Sequence, residues 1–218
     1  MRVPTLFLAI GLAVLSRTDA SAVAPTPGPE AEKRDAAVPP GTKKEIEKGV
    51  EAYGRKDFAK AEKSFRAVVA TMPENAVAHL YLGHCLFYQE RFGDSIPEYE
   101  KARTLSDASG GLELVNRRIL GDQLGMAYGL TGRLEDAKKH FEAAIVADPD
   151  YPLYYYNLAC AEAELGDLDG TLANLKKAHE HRANVLPGES LPDPRQDDSF
   201  KKYVGNPRFE ATLKEFGF

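Results

Sequence analysis

The chain has 218 residues, 43% of them hydrophobic and 28% charged, the proportions of an ordinary soluble protein. Its formal charge of −5 at pH 7 argues against a nucleic-acid partner, which would favour a basic stripe. The pairs Arg117-Arg118, Lys138-Lys139, Lys176-Lys177 and Lys201-Lys202 are isolated on predicted helices and read as solvated faces.

Residues 1–22 have the layout of a secretory signal. Arg2 is a minimal positive end, residues 6–15 are almost wholly apolar, and Ala20-Ser21-Ala22 offers small residues for cleavage after Ala20 or Ala22. The apolar run is far short of the roughly 18 to 20 residues of a spanning helix, so no stable membrane insertion is expected after cleavage. With no cysteine near the cleavage site, lipid attachment there is excluded. The expectation is an exported protein, periplasmic or secreted. Residues 23–42, rich in Pro, Ala and charge and without periodicity, read as a disordered linker.

From residue 43 the chain repeats. Gly49, Ala61, Phe65 and Val68 are answered 34 residues later by Gly83, Ser95, Tyr99 and Ala102. Gly125, Leu134, Ala137, Phe141, Ala144 and Pro149 are answered at the same offset of 34 by Ala159, Leu168, Thr171, Leu175, Ala178 and Ala183. A small residue on a first helix and another on a second let two antiparallel helices approach to about 8 Å, with Phe65, Tyr99 or Phe141 filling the space one turn on. Pro73 and Pro149 end second helices. The predicted pairs are 43–54 with 58–71, 76–89 with 94–105, 112–131 with 134–147, and 152–165 with 168–182. Asp57, Asp94 and Asp167 are expected N-caps, and Pro97 falls in a first turn.

The sequence therefore resembles the tetratricopeptide repeat family, whose pattern runs Leu-Gly-x-x-Tyr, Ala-x-x-x-Phe, then Pro over about 34 residues. The third repeat carries Leu124, Gly125, Tyr128, Ala137, Phe141 and Pro149 in place, and the other three match in part. The resemblance implies an all-α fold, an α-solenoid of about four helix-turn-helix repeats over 43–185. It also implies protein or peptide binding in a concave groove. One irregularity interrupts the array: Gly83 to Gly125 spans 42 residues, eight more than the repeat. The extra residues near Ser109-Gly110-Gly111 are expected to lengthen the third repeat's first helix by about two turns.

After a Pro-rich break at 186–194, the C-terminal segment 186–218 reads as a cap of two short helices. Asp198 or Ser199 caps a helix carrying Phe200, Tyr203 and Val204, and Asn206-Pro207 starts another whose Phe209, Leu213 and Phe216 share one face. These residues are expected to cover the end of the solenoid.

On the first helix of the second repeat, His79, Leu82, Gly83 and Leu86 face the second helix, while Val77, Tyr81, His84 and Tyr88, flanked by Leu80 and Phe87, face away. Equivalent positions elsewhere are Ile46, Val50 and Tyr53, then Ile119, Gln123 and Met126, then Leu153, Tyr156, Asn157 and Cys160. In the resembled family this side lines the groove, which makes Tyr53, Leu80, Tyr81, His84, Phe87, Tyr88, Met126, Tyr156 and Asn157 the candidate binding residues. The alternatives are packing between neighbouring first helices and occupation of the groove by the chain's own linker or tail. Some members of the family grip a partner's terminal carboxylate with Lys and Asn. Ile46, Val50, Tyr81, Ile119 and Gln123 stand at such positions here and disfavour that mode.

Catalytic signals are poor, although a hydrolase or metal-dependent enzyme on a helical solenoid is the rival reading. There is no Gly-x-Ser-x-Gly, no phosphate loop and no His-Glu-x-x-His. His179-Glu180-His181 places its imidazoles two residues apart, where helical side chains diverge. Asp148 with Asp150 and Asp167 with Asp169 sit at helix ends, where capping explains them. Cys85 beside His84 lacks an orienting third group. Cys85 and Cys160 lie on first helices of different repeats with the third repeat between, so two buried free thiols are expected, with no cofactor and no metal.

Overall fold

The computed structural model describes residues 38–109 and 111–216. The expected signal at 1–22 and most of the expected linker at 23–42 lie outside the described residues. The linker's last residues belong to a helix, because Pro40 opens the first one at its N-terminus, where a missing N–H is tolerated.

Four helix pairs follow in chain order: α1 (Pro40–Gly54) with α2 (Phe58–Thr71), α3 (Ala76–Tyr88) with α4 (Phe92–Ser109), α5 (Leu114–Leu130) with α6 (Leu134–Ala147), and α7 (Pro152–Leu165) with α8 (Leu168–Glu180). Short 3-10 turns at Arg182–Asn184, Pro194–Gln196 and Asp198–Tyr203 lead to α9 (Pro207–Phe216). Among the described residues there is no strand, and the all-α repeat architecture stands. The described residues divide into two compact units at Arg117 and Arg118, within α5.

Three of the four pairs close on the same contact. A Cβ built on Gly49 would lie 3.0 Å from Phe65 Cε2, on Gly83 2.6 Å from Tyr99 Cδ1, and on Gly125 2.6 Å from Phe141 Cε1. The aromatic ring thus rests on the bare glycine backbone of the opposite helix, closer than a side chain would allow. In the fourth pair Ala159 stands at the glycine position and Leu175 at the ring position, both fully buried. Within each unit the second helix of one pair packs on the first helix of the next, α2 on α3 and α6 on α7. At the first junction Phe65 stacks on Tyr81 at 4.9 Å and 13°, inside a cluster that includes Ala52, Ala61, Leu82, Cys85 and Leu86.

The turns inside the pairs are equally regular. Lys56, Glu90, Gly132 and Gly166 have φ of 60°, 60°, 78° and 88°. At each turn the following residue donates its N–H back into the first helix, from Asp57 to Ala52 O, Arg91 to Leu86 O, Arg133 to Tyr128 O and Asp167 to Glu162 O, at 2.9, 3.0, 2.9 and 2.9 Å. These are left-handed helix stops that satisfy carbonyls otherwise left open.

Helix starts agree in part with expectation. Asp57 and Asp167 cap by accepting from Lys60 N–H and Gly170 N–H, and Asn75 does the same for Ala78 N–H. Asp94 is not a cap: α4 begins at Phe92, so Asp94 lies in its first turn, paired to Arg91, and Pro97 lies two residues deeper in the helix than expected. The eight-residue insertion is also shared rather than given to one helix, since α4 has 18 residues and α5 has 17. The reason is a missing stop. Asp107 occupies the place at which Pro73 ends the first repeat, so α4 runs on to Ser109.

The tail caps the array as expected, with details that differ. The 3-10 turn Asp198–Tyr203 packs on α7, and α9 packs on α8. Phe200, Phe209 and Leu213 are buried, whereas Val204 is 56% exposed. Asp197, rather than Asp198 or Ser199, is the cap, accepting from Ser199 N–H at 2.9 Å.

Glu90 holds a left-handed conformation that costs a non-glycine residue about 1–2 kcal/mol, against about 0.5–1 kcal/mol of added chain entropy for glycine. Glu90→Gly is therefore expected to stabilise the protein by up to about 1 kcal/mol. Urea unfolding of the two proteins checks it, with Gly166→Ala as a control expected to move the other way.

Candidate functional site

In the unit that ends at Arg117, α3 supplies most of the candidate residues. Leu80, Tyr81, His84 and Phe87 are buried, while Tyr53 and Tyr88 are partly exposed. Tyr81, expected to face away from the core, packs instead against Phe65 of α2 and edge-on to Tyr53 at 5.2 Å. Sequence spacing identifies the partner within a pair but not the preceding pair's second helix, which is what Tyr81 meets. His84 Nδ1 lies 3.0 Å from the Tyr99 hydroxyl, tying α3 to α4. Tyr88 stacks on Phe58 at 5.0 Å, and Tyr53 meets Phe58 edge-on at 5.7 Å. Phe58, absent from the candidates, is the partly exposed third ring of this edge. Its position directly after the Asp57 cap was the available signal.

In the unit from Arg118 onward, Met126, Tyr156 and Asn157 are buried. Tyr156 donates its hydroxyl to Asp197 Oδ2 at 3.1 Å and meets Phe200 edge-on at 5.8 Å. Cys160 Sγ lies 3.8 Å from the same Asp197 oxygen. Asn157 Nδ2 donates to Asp122 Oδ1 on α5, and Asn157 Oδ1 is buried with no hydrogen-bond partner among the described residues. Tyr151 donates to both oxygens of Glu189, at 3.0 and 2.9 Å. Asp122, Glu189 and Asp197 were not among the candidates. Each meets its partner 35 to 41 residues away, beyond the reach of any local periodicity.

The residues that carried the enzymatic alternative have structural partners. Asp148 holds Arg118 through two hydrogen bonds, Asp150 lies 3.6 Å from His181, and Asp169 pairs with Arg208. His181 stacks on Tyr155 and His179 meets Phe216. Burial pushes the Cys85 thiol up to about 12 and raises that of Cys160, so both are protonated at neutral pH. Neither is in a disulfide. Among the described residues no group of three or more His, Cys, Asp or Glu is placed to hold a metal, and no helix is long and apolar enough to cross a membrane.

Burial, reinforced by the charge of Glu189, pushes the Asp122 carboxyl up to about 8, while the Asn157 amide works in the opposite direction. A folded-state value above the unfolded one near 3.9 means that the folded protein binds the extra proton between these limits. The stability contributed by protonated Asp122 is full below about pH 4 and is lost as pH rises through about 8. Asp122→Asn is expected to flatten this part of the stability profile and to raise the melting temperature most at pH 8 and above. Thermal scans of both proteins from pH 4 to 9 check it.

Comparison with known proteins identifies this architecture. The tetratricopeptide repeat profile matches residues 46–110 and 123–178, more than half of the chain. No curated protein matches it in sequence. Among solved structures, a crystal structure of MamA protein superposes with a TM-score of 0.62 at 19% identity, over 81% of this chain and 88% of that one. The MamA RS-1 ArsTM double mutant gives 0.63 at 13% identity, over 82% and 92%. MamA 41-end from Desulfovibrio magneticus RS-1 gives 0.58 at 18% identity, over 65% and 76%. At these identities the likeness is one of fold. With the repeat profile matched twice along its length, the chain belongs to the tetratricopeptide repeat family and is an all-α scaffold for protein interaction.

Proposed function

We propose that this scaffold binds a partner protein or peptide through the aromatic edge formed by Tyr53, Phe58 and Tyr88, and that it does so after export. The observation that carries the reading is the state of these rings. All three are partly exposed, yet each is held by its neighbours at centroid distances of 5.0 to 6.5 Å. Rings fixed in place lose little freedom on binding, and aromatic residues dominate binding hot spots. Buried Tyr81 and Phe65 form the support behind them. Export rests on the signal-like residues 1–22, a feature of the sequence alone.

A photo-crosslinking residue at position 88 of the intact protein, expressed in its own cells, should yield a discrete adduct identifiable by mass spectrometry. Phe58→Ala is expected to weaken binding of that partner by about 1–2 kcal/mol with little change in melting temperature, whereas Tyr53→Ala, which also strips a ring from the Phe65–Tyr81 cluster, is expected to lower both affinity and melting temperature. Tyr81→Ala, by contrast, is expected to destabilise the fold by about 3–5 kcal/mol. Loss of binding only in proportion to lost stability, or no adduct at all from a folded protein, would overturn the reading.

A further inference from the structure

Residues 186–204 cover α7 and are joined to it through side chains rather than through backbone pairing. Their backbone hydrogen bonds are local: Glu189 to Leu186, Gln196 to Asp193, Asp197 to Pro194, Phe200 to Asp197 and Val204 to Lys201. Attachment to α7 and its N-terminal turn comes from side chains. Glu189 accepts from the Tyr151 hydroxyl, Asp197 accepts from Tyr156 and Cys160, and Phe200 sits edge-on to Tyr156. Asp197 is only 4% exposed, and no Lys or Arg pairs with it among the described residues. A buried carboxylate held only by hydroxyl, thiol and amide donors bears a desolvation cost that a cation would have offset. The polar part of its hold is correspondingly small, and most of the attachment rests on Phe200, which is fully buried against Tyr156. Another polypeptide offering the same groups would exchange with it at little difference in energy.

We propose that the Tyr156–Cys160 face of α7 is a docking site for a short helical turn of a partner protein bearing an acidic residue followed three positions later by an aromatic one. In the isolated chain the protein's own Asp197 and Phe200 occupy that site. The proposal rests on the scaffold reading and adds to it the chemistry of a ligand, with the tail as a resident competitor. The incoming carboxylate takes the Tyr156 hydroxyl and the Cys160 thiol, and the incoming ring takes the place of Phe200 against Tyr156.

The test uses the full chain and a fluorescent synthetic peptide with the sequence of residues 189–204. Asp197→Ala in the protein weakens the resident contact, so the peptide should bind this variant at least about tenfold more tightly than wild type. The same peptide with its own Asp197→Ala change should lose that gain. Equal or undetectable binding to wild type and to a variant with intact far-ultraviolet circular dichroism overturns the proposal. So does a dimer of wild type that Asp197→Ala dissolves, because the occupant would then be a second copy's tail. Should the variant unfold, hydrogen exchange of wild type decides. Amides of 198–203 exchanging at least about tenfold faster than those of α7 support a detachable tail, and equal protection overturns it. Failure here leaves the ring edge of α1 to α3 untouched, since the crosslinking experiment reads different residues.

Discussion

The structure depends on one close approach repeated along the chain: an aromatic ring laid on a glycine of the opposite helix. Gly49 with Phe65, Gly83 with Tyr99 and Gly125 with Phe141 are each sixteen residues apart. The glycine removes the Cβ that would hold the axes apart, and the ring fills the space so created with a large buried area. Phe65 also reaches the next repeat through Tyr81, so there one ring fixes both the pair and its neighbour. A single pair could not bury these faces alone, which is why the repeats must occur in series. The fourth pair carries Ala159 and Leu175, both buried, at the corresponding positions, one side enlarged and the other reduced.

This constraint acts at fixed spacing, so it was readable in the sequence. The boundaries of α2, α6 and α7 agree with expectation to the residue, and the glycine positions, the Asp57 and Asp167 caps and the buried thiols were all visible. Where the reading failed, the deciding group was absent or distant. The extension of α4 follows from a proline that is missing at Asp107, and an absence leaves no pattern of its own. Tyr81 and Tyr88 share a helix and a residue type. What separates them is whether the third neighbour is Phe65 in the core or Phe58 at the edge.

The same distinction explains why the candidate surface was only partly legible. Helical periodicity sorts side chains into those facing the pair's own second helix and those facing elsewhere, but "elsewhere" includes the neighbouring repeat and the tail. Tyr156 and Asn157 face elsewhere and are buried, one against Asp197 and the other against Asp122. The carboxylates that complete this region come from residues far along the chain, and burial shifts Asp122, Glu189 and Asp197 towards their neutral forms.

The ring-on-glycine account is tested most directly by moving the fourth repeat's solution into the third. Gly125→Ala alone places a methyl against the Phe141 ring and is expected to cost about 1–3 kcal/mol, while Phe141→Leu alone leaves space over a glycine. Combined, they reproduce the Ala159 and Leu175 pair. The double variant should then be more stable, by about 1 kcal/mol or more, than the sum of the single changes allows, as measured by urea unfolding. Additivity within about 0.3–0.5 kcal/mol would contradict the claim that the two positions are coupled through this contact.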